Sequence, residues 1–227
     1  MLARTHPGET VSNYSLEAFI GRVLEIPQLA RHYTFYIIPM VNPDGVFLGN
    51  HRTGVLGQDL NRNFHLNDLE LFPELETVEH YITTVQKKHK VAFMFDLHGH
   101  SAKKNIFAYG EESESGSARY LRGRIIPCIL SNLIDSFKYD HCVFKAAREK
   151  KNTARVYFSN KNGINAITFE QSYGLLEGGC IGIHNWRNFG AAIADSLMVY
   201  LSFDQNNLHQ QMHNYLSDEM QKEREAI

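Results

Sequence analysis

Residues 91–98 read VAFMFDLH. The first seven are almost unbroken in hydrophobicity and rich in aromatic and branched side chains, the composition of a strand buried on both faces. Asp96 and His98 then bring chemistry to its end. Upstream, residues 33–40 (YTFYIIPM) predict another buried strand that runs into the turn Asn42-Pro43-Asp44-Gly45. Downstream, 104–109 (KNIFAY) and 164–170 (INAITFE) predict two more, 141–145 a short one, and residues 1–5 a strand end. Helical periodicity covers 10–25, with Leu16, Phe19, Ile20, Val23 and Leu24 on one face. It returns over 73–89, which Pro73 opens, and over 117–134 and 184–202. Strands alternating with helices predict an α/β fold, a mixed and largely parallel sheet flanked by helices. In such sheets ligands bind beyond the carboxyl ends of the strands.

The 227 residues are enough for one domain with a substantial core. A formal net charge of −2 gives no basic field to hold a phosphate backbone, so nucleic acid is not an expected partner. The chain contains no apolar run long enough to span a bilayer, and its first residues (MLARTHPGET) are not a secretory signal. Cys128, Cys142 and Cys180 fit neither a zinc-finger spacing nor a CxxC pair. The expected compartment is the cytoplasm. Residues 46–72 predict a long polar loop, a common seat of function. Residues 204–227 predict a polar helical tail following a domain of residues 1–203.

His6-Pro7-Gly8-Glu9 stands between the first strand end and the first helix. A catalytic zinc takes three protein ligands and keeps one position open. An H-x-x-E spacer places two ligands on one turn, and a distant histidine closes the site only after folding. Among twelve histidines this spacer is a weak signal by itself. For the third ligand His98 competes with His100, two residues on. Asp96 would suit a hydrogen-bond partner behind a ligating histidine.

The ordered set HPGE (6–9), NPDG (42–45), DLNRN (59–63) and TFE (168–170) resembles the zinc metallocarboxypeptidases of the carboxypeptidase A type. The segment FDLHGHSAKKNIFAYG (95–110) is similar to the cytosolic carboxypeptidases, the subfamily that trims glutamates from tubulin. The resemblance runs from residue 3 to about residue 203 and implies the carboxypeptidase-like sandwich. It implies zinc, one ion per chain, held by His6, Glu9 and His98. It implies that Asn61 and Arg62 grip the substrate's terminal carboxylate, for which an arginine fork is well suited. Arg52 is similar to the arginine that stabilises the carbonyl oxyanion. Glu170 is similar to the catalytic glutamate that takes and returns a proton.

The residue fifteen positions before Glu170, Arg155, matches the floor of the family's specificity pocket and implies preference for an acidic side chain. Residues 153–160 (TARVYFSN) have strand propensity, whereas the resemblance implies a short helix there. The implied activity is hydrolysis of C-terminal glutamate from acidic protein tails such as tubulin's, in the cytoplasm and associated with cytoskeleton or cilium.

Two departures stand out. The family's substrate-capping tyrosine has no counterpart between Tyr139 and Tyr157. The family also carries strands ahead of the H-x-x-E motif, so the chain is expected to lack its N-terminal strands and to have uncertain activity alone. A rival reading is therefore a catalytically weak module that binds acidic C-terminal tails. A zinc deacylase of the aspartoacylase type is a third, against which the DLHGHS stretch argues.

Overall fold

The computed structural model describes residues 1–66, 68, 70–145 and 150–225, without the side chains of residue 205 or of those from 219 on. Four strands form one sheet: β1 (Leu2–Ala3), β2 (Met94–His100), β3 (Ile106–Tyr109) and β4 (Ala166–Ser172). Their order is β1-β2-β4-β3, with β1, β2 and β4 parallel and β3 antiparallel to β4. The helices are α1 (Val11–Glu25), α2 (Pro27–His32), α3 (Pro43–Phe47), α4 (Pro73–Lys88), α5 (Ala118–Leu133), α6 (Ala154–Asn162), α7 (Ile183–Leu201) and α8 (Leu208–Glu225). The mixed, largely parallel sheet between helices is the expected class.

Strand alternation sorts the two faces. Phe95, Leu97, Ile106, Ala108, Ile167 and Phe169 pack with α1, α5 and α7 into the larger core. Met94 and Ala166 face the other way, onto a smaller core with Leu75 and Val78 of α4 and Phe158 of α6. Continuing along that second face, β2 presents Asp96, His98 and His100, and β4 presents Thr168 and Glu170. The register pairs Asp96 with Thr168 and His98 with Glu170. One face of the sheet is thus apolar at its base and chemical at its carboxyl end.

Several boundaries differ from expectation. β2 begins at Met94, not at residue 91, and runs through His98 to His100. Glu170 lies inside β4 rather than at its end. Residues 33–40 are not a full strand. They run extended beside the two-residue β1 and share one bridge with it, Leu2 with Ile38, because β1 offers so little to pair with. Val143 likewise makes a single bridge, to Tyr109, and covers the outer edge of β3.

In α1, Leu16 and Phe19 are buried as expected, but Leu24 is 78% exposed and Ser12 and Ser15 take places in the core. Residues 154–162 are helical despite their strand propensity: Gly163 ends the turn in the left-handed region, at φ 65°. The tail is helical over 208–225, and Met212 and Leu216 bury against the main core, so it is better anchored than its composition implies. Residues 226 and 227 of that expected tail lie outside the described residues.

Candidate metal centre and substrate cavity

The loop after β1 turns sharply before α1. Gly8 N donates to His51 O at 2.8 Å, and a Cβ at Gly8 would stand 2.7 Å from that same oxygen. Only glycine permits the approach, which brings the 42–54 loop against the H-x-x-E turn. A second close approach is at Gly45, where a Cβ would meet Pro7 Cγ at 2.5 Å. Asn42 caps α3 by accepting from Gly45 N, so NPDG acts as a buttress behind HPGE.

His6, Glu9 and His98 are all buried, and their ligating atoms lie within 4.8 Å of one another. His6 Nδ1 is 2.7 Å from Glu9 Oε1, and His98 Nδ1 is 2.8 Å from Glu9 Oε2. The two Nδ1 atoms are 3.1 Å apart. Behind them, His6 Nε2 lies 3.0 Å from Asp59 Oδ1 and His98 Nε2 lies 2.8 Å from Asp96 Oδ2. A carboxylate only accepts, so each Nε2 turns a hydrogen outward to its aspartate, and the two inward-facing Nδ1 atoms are the ones a metal ion would take from Glu9 and from their shared protons. Gly99 N steadies Glu9 Oε2 at 2.9 Å. Two imidazole nitrogens and a carboxylate converging in this way fit a zinc ion, with carboxylates orienting both histidines from behind.

The electrostatics agree. Burial alone would favour the neutral form of Glu9, but His98 and His6 outweigh it and hold the carboxylate ionised far below its usual range. Burial opposes charge on His98, yet Asp96 and Glu9 prevail and keep its pKa well above the ordinary histidine value. Without metal the cluster retains a proton, for which a metal must compete.

A cavity of about 220 Å³ opens beside this cluster. The eight residues to which the family resemblance gives roles all line it: His6, Glu9, Arg52, Asn61, Arg62, His98, Arg155 and Glu170. Arg52 reaches Asp59 Oδ2 through Nε at 2.8 Å and Nη2 at 2.7 Å. Asn61 Oδ1 accepts from Ala154 N at 2.9 Å, tying the 60–62 turn to the start of α6. Arg62 Nη1 donates to Asn61 O.

Glu170 accepts no hydrogen bond among the described residues. Burial raises its pKa; Glu9 and Asp96 add to this against the opposite pull of His98 and His6, and the result is about 7. Arg155 is 2% exposed, and its Nη1 donates to Gly110 O at 2.7 Å and to Glu111 Oε1. A larger apolar cavity of about 300 Å³ beside residues 33–38 holds no comparable ligating cluster among the described residues.

Three residues of the site escaped the sequence reading. Asp59 holds His6 and Arg52 together, and it caps the following turn by accepting from Asn61 N at 2.9 Å. With burial opposing, His6, Arg52 and Arg62 lower its pKa to about 2. Its signal was available in the DLNRN motif. Tyr109 lines the cavity from β3, with Lys150 Nζ 3.9 Å from its ring centroid. The third is Glu111, the partner of Arg155.

Residues 1–173 match the sequence model of the zinc carboxypeptidase family. Cytosolic carboxypeptidase 3 of Bos taurus is 35% identical over 233 residues, covering 98% of this chain and 23% of that protein. Cytosolic carboxypeptidase 2 of Mus musculus is 34% identical over 221 residues, covering 92% of this chain and 25% of that protein. The chain thus spans about a quarter of the length of the curated relatives it matches. Among solved structures, a metallo-carboxypeptidase from Pseudomonas aeruginosa in complex with (2-guanidinoethylmercapto)succinic acid superposes with a TM-score of 0.74 at 26% identity, covering 88% of this chain and 56% of that one. One from Burkholderia cenocepacia gives 0.76 at 22% identity, over 88% and 55% of the two chains, and shares the fold.

Proposed function

The chain belongs to the zinc carboxypeptidase family, and from that premise we propose that it hydrolyses the C-terminal residue of peptides or proteins, with glutamate preferred. The observation that carries this reading is the convergence of His6 Nδ1, His98 Nδ1 and the Glu9 carboxylate beside the Glu170 carboxyl in one cavity. His6, Glu9 and His98 would hold the ion. Zinc, when bound, supplies a Lewis acid for the scissile carbonyl and makes water acidic enough to attack near neutral pH.

The chain's own residues do the rest. Glu170 takes the proton of the attacking water and delivers it to the leaving amine. Its raised pKa suits a group that must both accept and release a proton near neutrality. Arg62 and Asn61 receive the substrate's terminal carboxylate, which makes the enzyme an exopeptidase. Arg52, held by Asp59, offers its remaining guanidinium donors to the carbonyl oxygen as charge develops there.

Glutamate preference rests on Arg155 in the cavity wall. Acidic tails of the tubulin kind are the substrates this implies, acted on in the cytoplasm, with cytoskeletal or ciliary association. No helix among the described residues is long and apolar enough to cross a membrane.

The test is release of free glutamate from glutamate-ended peptides by the zinc-supplemented chain. The wild type should release it, and Glu170→Gln should fall by about 100-fold or more. Tail binding without turnover in either protein would favour the non-enzymatic module.

A further inference from the structure

Arg155 stands at the side-chain end of the cavity, and its charge is already engaged. The guanidinium Nη1 serves two acceptors, the main-chain oxygen of Gly110 and the carboxylate of Glu111. Both side chains are largely out of solvent, Arg155 at 2% and Glu111 at 10% relative exposure. Nε and Nη2 have no partner among the described residues, and Arg155 lines the cavity whereas Glu111 does not. The pair therefore engages one nitrogen of the guanidinium and leaves the other two for a ligand in the cavity. Tyr109, Thr153 and Thr168 add neutral groups to this part of the wall, and Lys150, its Nζ 3.9 Å from the Tyr109 ring centroid, adds a second cation.

This has a consequence for selectivity. A fully available arginine fork gives a carboxylate two parallel charge-assisted bonds. With Nη1 taken, a ligand carboxylate is left the side-on fork of Nε and Nη2, and the negative charge of Glu111 on the far side of the guanidinium weakens the pull it feels. A side-chain amide suffers no such loss. Burial is the main influence raising the Glu111 pKa, with Arg155 and Arg119 acting against it, which is the strain expected of a carboxylate kept in a poorly solvated pair.

We infer that Glu111 is a specificity-determining residue, a built-in carboxylate that partly neutralises Arg155 and so moderates the preference for an acidic over an amide or neutral C-terminal side chain. The inference rests on the proposed carboxypeptidase reading for its substrate and on the Arg155–Glu111 contact for its substance. Acid selectivity is thereby adjustable at Glu111, a residue outside the cavity lining.

The experiment uses the zinc-supplemented full chain, wild type and Glu111→Gln, on two peptides that differ only in a C-terminal glutamate or glutamine. Calorimetric binding of free L-glutamate and L-glutamine runs beside it. Glu111→Gln should raise the glutamate-to-glutamine ratio of kcat/KM by about ten-fold, chiefly through KM, with the affinity ratio moving alike. A purely structural role would lower both substrates together, and an unchanged or falling ratio overturns the inference. If no peptide is cleaved but the affinity ratio rises, the hydrolase reading fails and the role of Glu111 stands. If cleavage occurs without a change of ratio, the reverse holds. No binding of either amino acid to either protein also overturns it. Should Glu111→Gln not fold, Glu111→Asp withdraws the carboxylate by one methylene, and a smaller rise in the same ratios is expected.

Discussion

His6 Nε2 lies 3.0 Å from Asp59 Oδ1, across 53 residues of sequence. The same carboxylate receives Arg52 on its other oxygen. One side chain therefore orients at once the proposed metal ligand His6 and the arginine proposed to face the oxyanion. Asp59→Asn keeps the shape but weakens both contacts. Zinc affinity, measured by competition with a chromophoric chelator, should fall about 10- to 100-fold. An unchanged affinity would mean that Glu9 alone orients His6.

The terminal carboxylate gives a second prediction. If Arg62 receives it as a fork, Arg62→Lys keeps the charge and loses the two-pronged geometry. KM for free-acid peptides should rise about ten-fold or more, with a smaller change in kcat. A kcat effect with KM unchanged would move Arg62 from substrate binding to the chemical step.

Glu170 links the site to stability. Its folded pKa is raised from 4.5 to about 7, burial being the main cause. The folded chain therefore holds that proton more tightly than the unfolded chain. The contribution is fully present below the unfolded value, near 4.5, and is lost as pH rises through about 7. Other groups titrate nearby, so the comparison is with Glu170→Gln. The Tm of metal-free wild type minus that of Glu170→Gln should fall from about pH 5 to about pH 8. A difference that does not change with pH would show an ordinary, solvated carboxylate.

Gly8 supplies a fourth. Its Cβ would stand 2.7 Å from the main-chain oxygen of His51, which cannot swing away as a side chain does. Gly8→Ala should cost roughly 1–3 kcal/mol in chemical denaturation, and it should weaken zinc binding by displacing the His6–Glu9 turn. Full retention of both would show that the 42–54 loop yields easily.

Much of this site was legible because its parts are local. His6 and Glu9 share one turn, and Asn61 and Arg62 are neighbours. What was missed depends on pairings far apart in sequence. Asp59 meets His6 only through the fold, and Glu111 meets Arg155 across 44 residues. Tyr109 was hidden for a simpler reason. Residues 106–109 (IFAY) are hydrophobic at every position, so their pattern does not show which alternate side chains face the cavity.

The strand expected at 33–40 fails because hydrophobicity does not supply a partner strand: residues 33–40 are half-buried or exposed, and Ile38 makes one bridge to β1. The helix at 154–162 prevails over its strand propensity because Ala154 and Phe158, one turn apart, bury together in the smaller core and Gly163 ends the helix. Tertiary packing outweighs propensities of this size.

His6, Glu9 and His98 are proposed to hold one ion, and zinc content tests that most directly. Elemental analysis after dialysis against metal-free buffer should find about one zinc per chain in the wild type and little in His6→Ala or His98→Ala, each confirmed folded by circular dichroism. A wild type that keeps no zinc, or variants that keep as much as the wild type, would contradict it.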